Sequence, residues 1–205
     1  KQRYACTFGD IAITSFYPSK PLGCYGDGGA LFTVDPQLAD RIRMIANHGS
    51  MGHYKHEIVG INSRLDALQA GILRVKLRHL DDELKVRQQN AAKYDQFFSK
   101  FLGIKPQKLA DGNTSTVAQY TLLADDRESF IKILQKAEVP YCINYPVTLH
   151  SQKCFAEESV AAPNATLASS QAISLPVCAF TDVDEIIRRI QKWFDSDFNR
   201  LSGSR

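Results

Sequence analysis

No apolar run in the 205 residues approaches the ~18 that a membrane-crossing helix needs. The longest uncharged stretches are broken by Gly, Pro or polar residues. An excess of one charge is missing too: 25 Lys and Arg stand against 22 Asp and Glu, a net +3. That balance offers no basic stripe for nucleic acid and no polybasic segment for a membrane surface. The five cysteines, Cys6, Cys24, Cys142, Cys154 and Cys178, are odd in number and form no Cys-x-x-Cys pair. A zinc or redox motif and a secreted disulfide framework are therefore not expected. Reduced, mostly buried thiols in a cytoplasmic protein are. His53 and His56 would stand one helical turn apart, but no carboxylate or Cys accompanies them at ligand spacing. A solvated loop is expected there, with no metal. Internal repeats and low-complexity segments are lacking, as are an initiator Met and a charged-then-apolar leader.

What is present reads as an ordinary globular chain. Its length predicts one or two domains with a real core. Ile11–Phe16 and Gly29–Val34 read as short strands, separated by a stretch punctuated with Pro18, Pro21, Gly23, Gly26 and Gly28. A helix over residues 37–46 carries Leu38, Ile42 and Ile45 on one stripe. A longer helical pattern opens at Asn62-Ser63, where Ser63-x-x-Asp66 resembles a capping box. It runs through Leu65, Leu68, Ile72, Val75 and Leu80, bends near residues 78–84, and continues into Tyr94, Phe97, Phe98 and Phe101, read as core. Gly103 ends it. Thr116–Ala124 reads as a strand, and Asp126–Ala137 as a helix with Phe130, Ile133 and Leu134 inward. Val139–Tyr145 reads as a strand and residues 147–172 as loop with short helices. A last helix, opened by Thr181-x-x-Asp184, carries Val183, Ile186, Ile187, Ile190, Trp193 and Phe194. The tail Leu201–Arg205 is expected to fray.

After residue 103 this order makes a compact α+β unit. The part before it does not close on itself: it offers half a sheet without partner strands, an edge that is normally covered or paired. The expectation is an α/β chain whose N-terminal half is missing.

One segment invites a chemical reading. Lys20 sits between Pro18 and Pro21 on a stiff loop leaving a strand. Such a lysine can be aimed at a cofactor, and desolvation or a nearby cation would free its amine as a nucleophile. Ser15 and nearby backbone amides could cradle a phosphate. The stretch is neither Gly-x4-Gly-Lys-Ser/Thr nor Gly-x-Gly-x-x-Gly. On chemistry alone, a solvated surface lysine stays open as the alternative.

The motif string goes further. Ser15-Phe16-Tyr17-Pro18-Ser19-Lys20, followed by Gly26-Asp27-Gly28-Gly29-Ala30, resembles the cofactor-lysine motif of the DegT/DnrJ/EryC1/StrS family of pyridoxal-phosphate sugar aminotransferases. Arg43–Gly49 resembles its helix ending in His-Gly, and Gly60–Ala70 its Gly-x-Asn-x-Arg-(Leu/Met)-x-x-x-Gln-Ala signature. Tyr145-Pro146 and Ser174-Leu175-Pro176 resemble two later elements. The resemblance implies a fold-type I aminotransferase. Residues 1–85 would be the C-terminal part of the large cofactor domain and residues 86–205 the small α+β domain. It implies that Lys20 carries pyridoxal 5'-phosphate and moves protons, that Ser15 binds the cofactor phosphate, and that Asn62 reaches the phosphate held in a neighbouring subunit. It makes Arg64 and Tyr145 contacts for a nucleotide-sugar in that same partner site. It implies a homodimer with shared active sites, a keto-sugar nucleotide acceptor, and an amino donor such as glutamate. The wording around the lysine looks most like members that act on UDP-linked 3-keto-N-acetylhexosamine uronic acids for O-antigen and related surface polysaccharides.

The sequence departs from the family pattern in three places. Asn144 stands where a His usually precedes Tyr-Pro, Gly52-His53-Tyr54 lacks a common Arg, and Cys178-Ala179 replaces a His-Pro-like pair. The family's phosphate-binding Gly-Ser/Thr, ring-stacking aromatic and nitrogen-pairing Asp are absent. The expectation is a C-terminal fragment, inactive alone. Two other readings stay open: a non-catalytic binding or regulatory relative, and another fold-type I enzyme such as a lyase.

Overall fold

A computed structural model describes residues 3–155 and 161–202, with side chains of the last helix as far as Phe194. The expected fraying at Leu201–Arg205 falls mostly outside the described residues. The chain divides into two compact units, Lys1–Asp81 and Asp82–Arg205.

The first unit begins with an antiparallel pair, β1 (Ala12–Ser15) and β2 (Gly29–Phe32), in the register Ala12↔Phe32 to Ser15↔Gly29. Residues 16–28 form the connecting loop. Helix α1 (Pro36–Ala46) follows, with Pro36 at its first position. It is capped by Asp35, whose Oδ1 accepts from the Gln37 and Leu38 amides at 2.8 and 3.2 Å. After it, His48 and Gly49 take the left-handed region, at φ 59° and 72°. A Cβ on Gly49 would collide with the Ile58 carbonyl, so only glycine fits that turn. A small hairpin, β3 (Ser50–Gly52) and β4 (Lys55–His56), stands where a solvated loop was expected at His53–His56. The unit closes on α2 (Ala67–Leu77). This helix starts after Asp66 rather than at Ser63, and Asp66 makes no side-chain cap bond, so the expected capping box is not formed. Leu68 and Val75 of its apolar stripe are exposed, and its buried residue is Leu73.

The second unit is built on a three-stranded antiparallel sheet in the order β5 (Ile104–Pro106), β6 (Tyr120–Ala124), β7 (Ala172–Leu175). Along β6, Tyr120, Leu122 and Ala124 are buried while Thr121 and Leu123 are half-buried, the alternation of a strand on a core. The sheet packs with α3 (Leu80–Phe98), α4 (Arg127–Lys136), α5 (Pro163–Gln171) and α6 (Val183–Ser202). The chain turns between α2 and α3 at Arg78-His79, inside the expected bend. The core is aromatic: Phe98 and Phe130 meet edge to face at 5.9 Å, and Phe101 and Phe194 lie 4.2 Å apart. Tyr94 and Tyr120 are buried among them. Tyr94 donates to the Pro176 carbonyl at 2.9 Å and Tyr120 to Asp95 at 2.8 Å. Burial pushes both phenols well above their ordinary range, helped at Tyr120 by Asp95.

Val139–Tyr145 is not a strand. It makes only a bridge, in which Cys142 and Ser174 exchange backbone bonds of 3.0 and 2.8 Å. Pro140 inside the segment and Pro146 just after it have no N–H to extend the ladder. Short strands stand instead at β5 and β7. The last helix is opened by Asp182, whose Oδ1 accepts from the Glu185 amide at 3.0 Å, rather than by Thr181. Among the described residues no helix is long and apolar enough to cross a membrane.

Candidate active site

The loop that bears Lys20 is defined by backbone bonds at its neck. The Phe16 amide donates to the Gly28 carbonyl at 2.8 Å. The Lys20 amide donates to the Tyr17 carbonyl at 2.8 Å, closing a four-residue turn. Pro18 holds the second position of that turn, where its fixed φ is pre-set. Gly23 then passes so close that a Cβ would stand 2.7 Å from both the Tyr17 and Pro18 carbonyl oxygens. Under the loop, Cys24 is fully buried. Its amide donates to the Phe16 carbonyl at 2.8 Å, and its thiol lies 3.0 Å from that oxygen and 3.1 Å from the Gly26 carbonyl.

Lys20 is exposed, and among the described residues its ammonium has no hydrogen-bond or ion-pair partner. Ser15 stands at the end of β1, opposite Gly29. Its Oγ accepts from the Tyr17 amide at 3.2 Å, and among the described residues no acceptor takes its proton. A free primary amine and a hydroxyl donor on constrained backbone fit a group carrying both a carbonyl and a phosphate.

Asn62 and Arg64 lie on an extended segment laid against the end of α1. The Ile61 amide donates to Ile45, the His48 amide to Ile61 and the Ser63 amide to Ala46, at 2.8 to 2.9 Å. The His-Gly motif and the Gly-x-Asn-x-Arg motif are thereby joined. Both Asn62 and Arg64 are exposed. Arg64 Nη1 donates to Asn47 Oδ1 at 3.0 Å, which fixes one edge of the guanidinium. A cavity of ≈ 380 Å³ brings Arg64 and Ser63 together with Thr14, Asp27, Gly28 and Gly29. Ser15 and Lys20 do not line it, although Thr14 and Gly29 are the chain and register neighbours of Ser15. Tyr145 lies in the second unit, exposed, after a cis peptide bond from Asn144.

The cysteines differ from expectation: Cys24 is buried, but Cys6, Cys142 and Cys154 are exposed and Cys178 is half-buried. Each is a single thiol with no bridging partner. His56 Nδ1 lies 2.9 Å from the His48 carbonyl, so that imidazole is engaged with backbone. Among the described residues no three His, Cys, Asp or Glu side chains are grouped to hold a metal.

Four residues around the site carry contacts that the motifs do not predict: Cys24, Asn47 and Gln69 lie within or between the motif stretches, and Lys76 follows Gln69 about two helical turns on.

A profile of the DegT/DnrJ/EryC1/StrS aminotransferase family matches residues 1–192. The chain is 45% identical over 186 residues to a UDP-2-acetamido-2-deoxy-3-oxo-D-glucuronate aminotransferase of Pseudomonas aeruginosa, covering 91% of the chain and 52% of that protein. It is 38% identical over 174 residues to a pleiotropic regulatory protein of Geobacillus stearothermophilus, covering 82% of the chain and 47% of that protein. The crystal structure of a DegT DnrJ EryC1 StrS aminotransferase from Brucella abortus matches with a TM-score of 0.83 at 38% identity, over 91% of this chain and 51% of that one. The chain spans about half the length of the curated relatives it matches.

Proposed function

Because the chain belongs to the DegT/DnrJ/EryC1/StrS aminotransferase family, we propose that its protein transfers an amino group to a keto-sugar nucleotide with pyridoxal phosphate as cofactor. Lys20 is the residue on which the proposal turns. Its exposed amine, without a partner among the described residues, at the end of a turn buttressed by Gly23 is the observation that carries it. When bound, pyridoxal phosphate supplies an electron sink for a carbanion at the amino-bearing carbon. Lys20 Nζ would hold the cofactor and would carry the proton taken from the donor Cα. Ser15 Oγ donates to the cofactor phosphate. Asn62 would reach the phosphate held by a second copy, and Arg64, steadied by Asn47, would meet the anionic part of the nucleotide-sugar. Tyr145 is proposed separately as a contact for the nucleotide-sugar.

The acceptor is proposed to be a UDP-linked 3-keto hexosamine derivative, on the strength of the Pseudomonas relative's name. Glutamate is the proposed donor, a homodimer the assembly, the cytoplasm the location, and surface-polysaccharide synthesis the setting. Residues 1–85 are proposed as the C-terminal part of a larger cofactor domain and 86–205 as the small domain. Support for the first comes from how little the first unit buries: among the described residues, Cys24 and Leu73 are its buried hydrophobic residues.

The test is chemical. Protein treated with pyridoxal phosphate and then borohydride is expected to carry the cofactor mass on the Lys20 peptide, and Lys20→Ala to abolish amino transfer from glutamate. Label scattered over surface lysines, together with transfer surviving in K20A, would overturn the proposal. The Geobacillus relative's name favours one other reading, a regulatory protein without turnover. That reading predicts a biological effect unchanged by K20A.

A further inference from the structure

The lysine loop is tied to α2 at two points. Gln69 Oε1 accepts from the Tyr25 amide at 2.8 Å, and Lys76 Nζ donates to the Gly23 carbonyl at 2.6 Å. The two side chains are seven residues apart, about two helical turns, so they project from one face of α2. Leu73, the buried residue of the helix, lies between them on that face. Residues 23–25 run along it, with Cys24 turned inward between the two attachments. The Gln69 amide also closes off Gly26, where a Cβ would stand 3.0 Å from Nε2.

These ties reach Lys20 through backbone. Lys76 holds the Gly23 carbonyl, Gly23 rests on the Tyr17 and Pro18 carbonyls, and Tyr17 receives the Lys20 amide. We propose that Gln69 and Lys76 are positioning residues that fix the Lys20 loop on α2. The loop's shape, and with it the place of the lysine amine, depends on a helix more than 40 residues away in sequence. Gly23 is buried, so losing the Lys76 ammonium leaves its carbonyl without a partner, a costlier change than losing an exposed bond. Only the functional consequence rests on the proposed cofactor role of Lys20; the anchoring is read without any cofactor.

Cys24 is a built-in reporter, because its thiol is reached only when the loop lifts. Cofactor-free protein is treated with N-ethylmaleimide, and modification of the Cys24 peptide is followed by mass spectrometry. Gln69→Ala and Lys76→Met are each expected to speed Cys24 labelling by about tenfold, since each removes one bond closing a local opening. Amide exchange in α1 of the same unit and in Phe130–Leu134 of the other stays unchanged, which separates local opening from unfolding of either unit. Gln69→Glu retains an acceptor and Lys76→Arg a donor, so both restore protection. Wild-type labelling rates in both Q69A and K76M would overturn the proposal. So would equal acceleration in the conservative variants. In a second arm, cofactor fixed by borohydride on the Lys20 peptide falls in Q69A and K76M. If wild-type protein takes no label at Lys20 while the Cys24 pattern is as expected, the cofactor assignment fails and the anchoring stands.

Discussion

The two units use apolar side chains in opposite ways. In the second, Tyr94, Phe98, Phe130, Leu134, Ile173, Ile190 and Phe194 are all within 1% of full burial. In the first, Ile13, Leu31, Val34, Val59, Leu68 and Val75 are each more than half exposed. What orders the first unit is hydrogen bonding: the neck of the lysine loop, the two ties to α2, and the segment laid on the end of α1. A loop can thus be shaped locally by backbone bonds and close-packed glycines in a unit that owns little core. The aromatic core lies in one unit and Lys20 in the other.

The largest blow to this contrast falls on the aromatic core. Phe130→Ala removes a ring that touches Phe98 and Phe194 at 5.9 and 5.8 Å. Full burial of that ring predicts a loss of about 3–5 kcal/mol, from transfer plus a cavity. Urea unfolding followed by amide exchange is expected to show the loss throughout the second unit. A loss below about 1 kcal/mol would mean that this core is not what holds the unit.

A smaller effect compares like with like. Asp126 caps α4, and its carboxylate accepts from the Ser129 amide at 3.0 Å. That bond holds its carboxyl below the ordinary range. A lowered folded pKa stabilises above the unfolded pKa, and the contribution fades as pH falls through the folded one. Asp126→Ala is therefore expected to cost about 1 kcal/mol near neutrality. The gap to wild type should narrow as acid protonates the carboxylate. Asp35 does the same work for α1 in the first unit. With no buried residue on α1, Asp35→Ala is expected to appear as faster exchange of that helix alone. A shift of the global urea midpoint by D35A, as large as that of D126A, would break the contrast.

How much of this was legible in the sequence followed the same division. Helices with an apolar stripe facing a true core were readable: Phe130, Ile133 and Leu134 are buried as their spacing predicts, and so are Val183, Ile186, Ile190 and Phe194. Strand β6 was readable at its C-terminal end, but it spans Tyr120–Ala124 rather than Thr116–Ala124. Strand β7 was not, because all four of its residues are buried and it lacks the period of two. Val139–Tyr145 misled in the other direction, being apolar and extended yet limited by its prolines. In the first unit the stripe Leu65, Leu68, Ile72, Val75, Leu80 is half-buried at Ile72 and Leu80 and exposed at the other three, since periodicity reports an apolar face and not what covers it. Lys20 and Ser15 were legible as a motif. Their supports were not, because Gln69 and Lys76 meet the loop across 44 and 53 residues, a separation no local pattern encodes.

The smallest expected effect is the sharpest test of the contrast. Leu68 is 82% exposed on α2, outside the face that Gln69, Leu73 and Lys76 turn to the lysine loop. A side chain already in water loses little when made polar, so Leu68→Ser is expected to change stability by no more than about 0.5 kcal/mol. Helix propensity accounts for most of that, because Ser is a poorer helix former than Leu. Urea unfolding at several protein concentrations measures it. A loss above about 2 kcal/mol, or a midpoint that moves with concentration in wild type but not in L68S, would show this face covered in solution. The apolar residues of the first unit would then be half of a core, and the contrast between the units would describe the isolated chain alone.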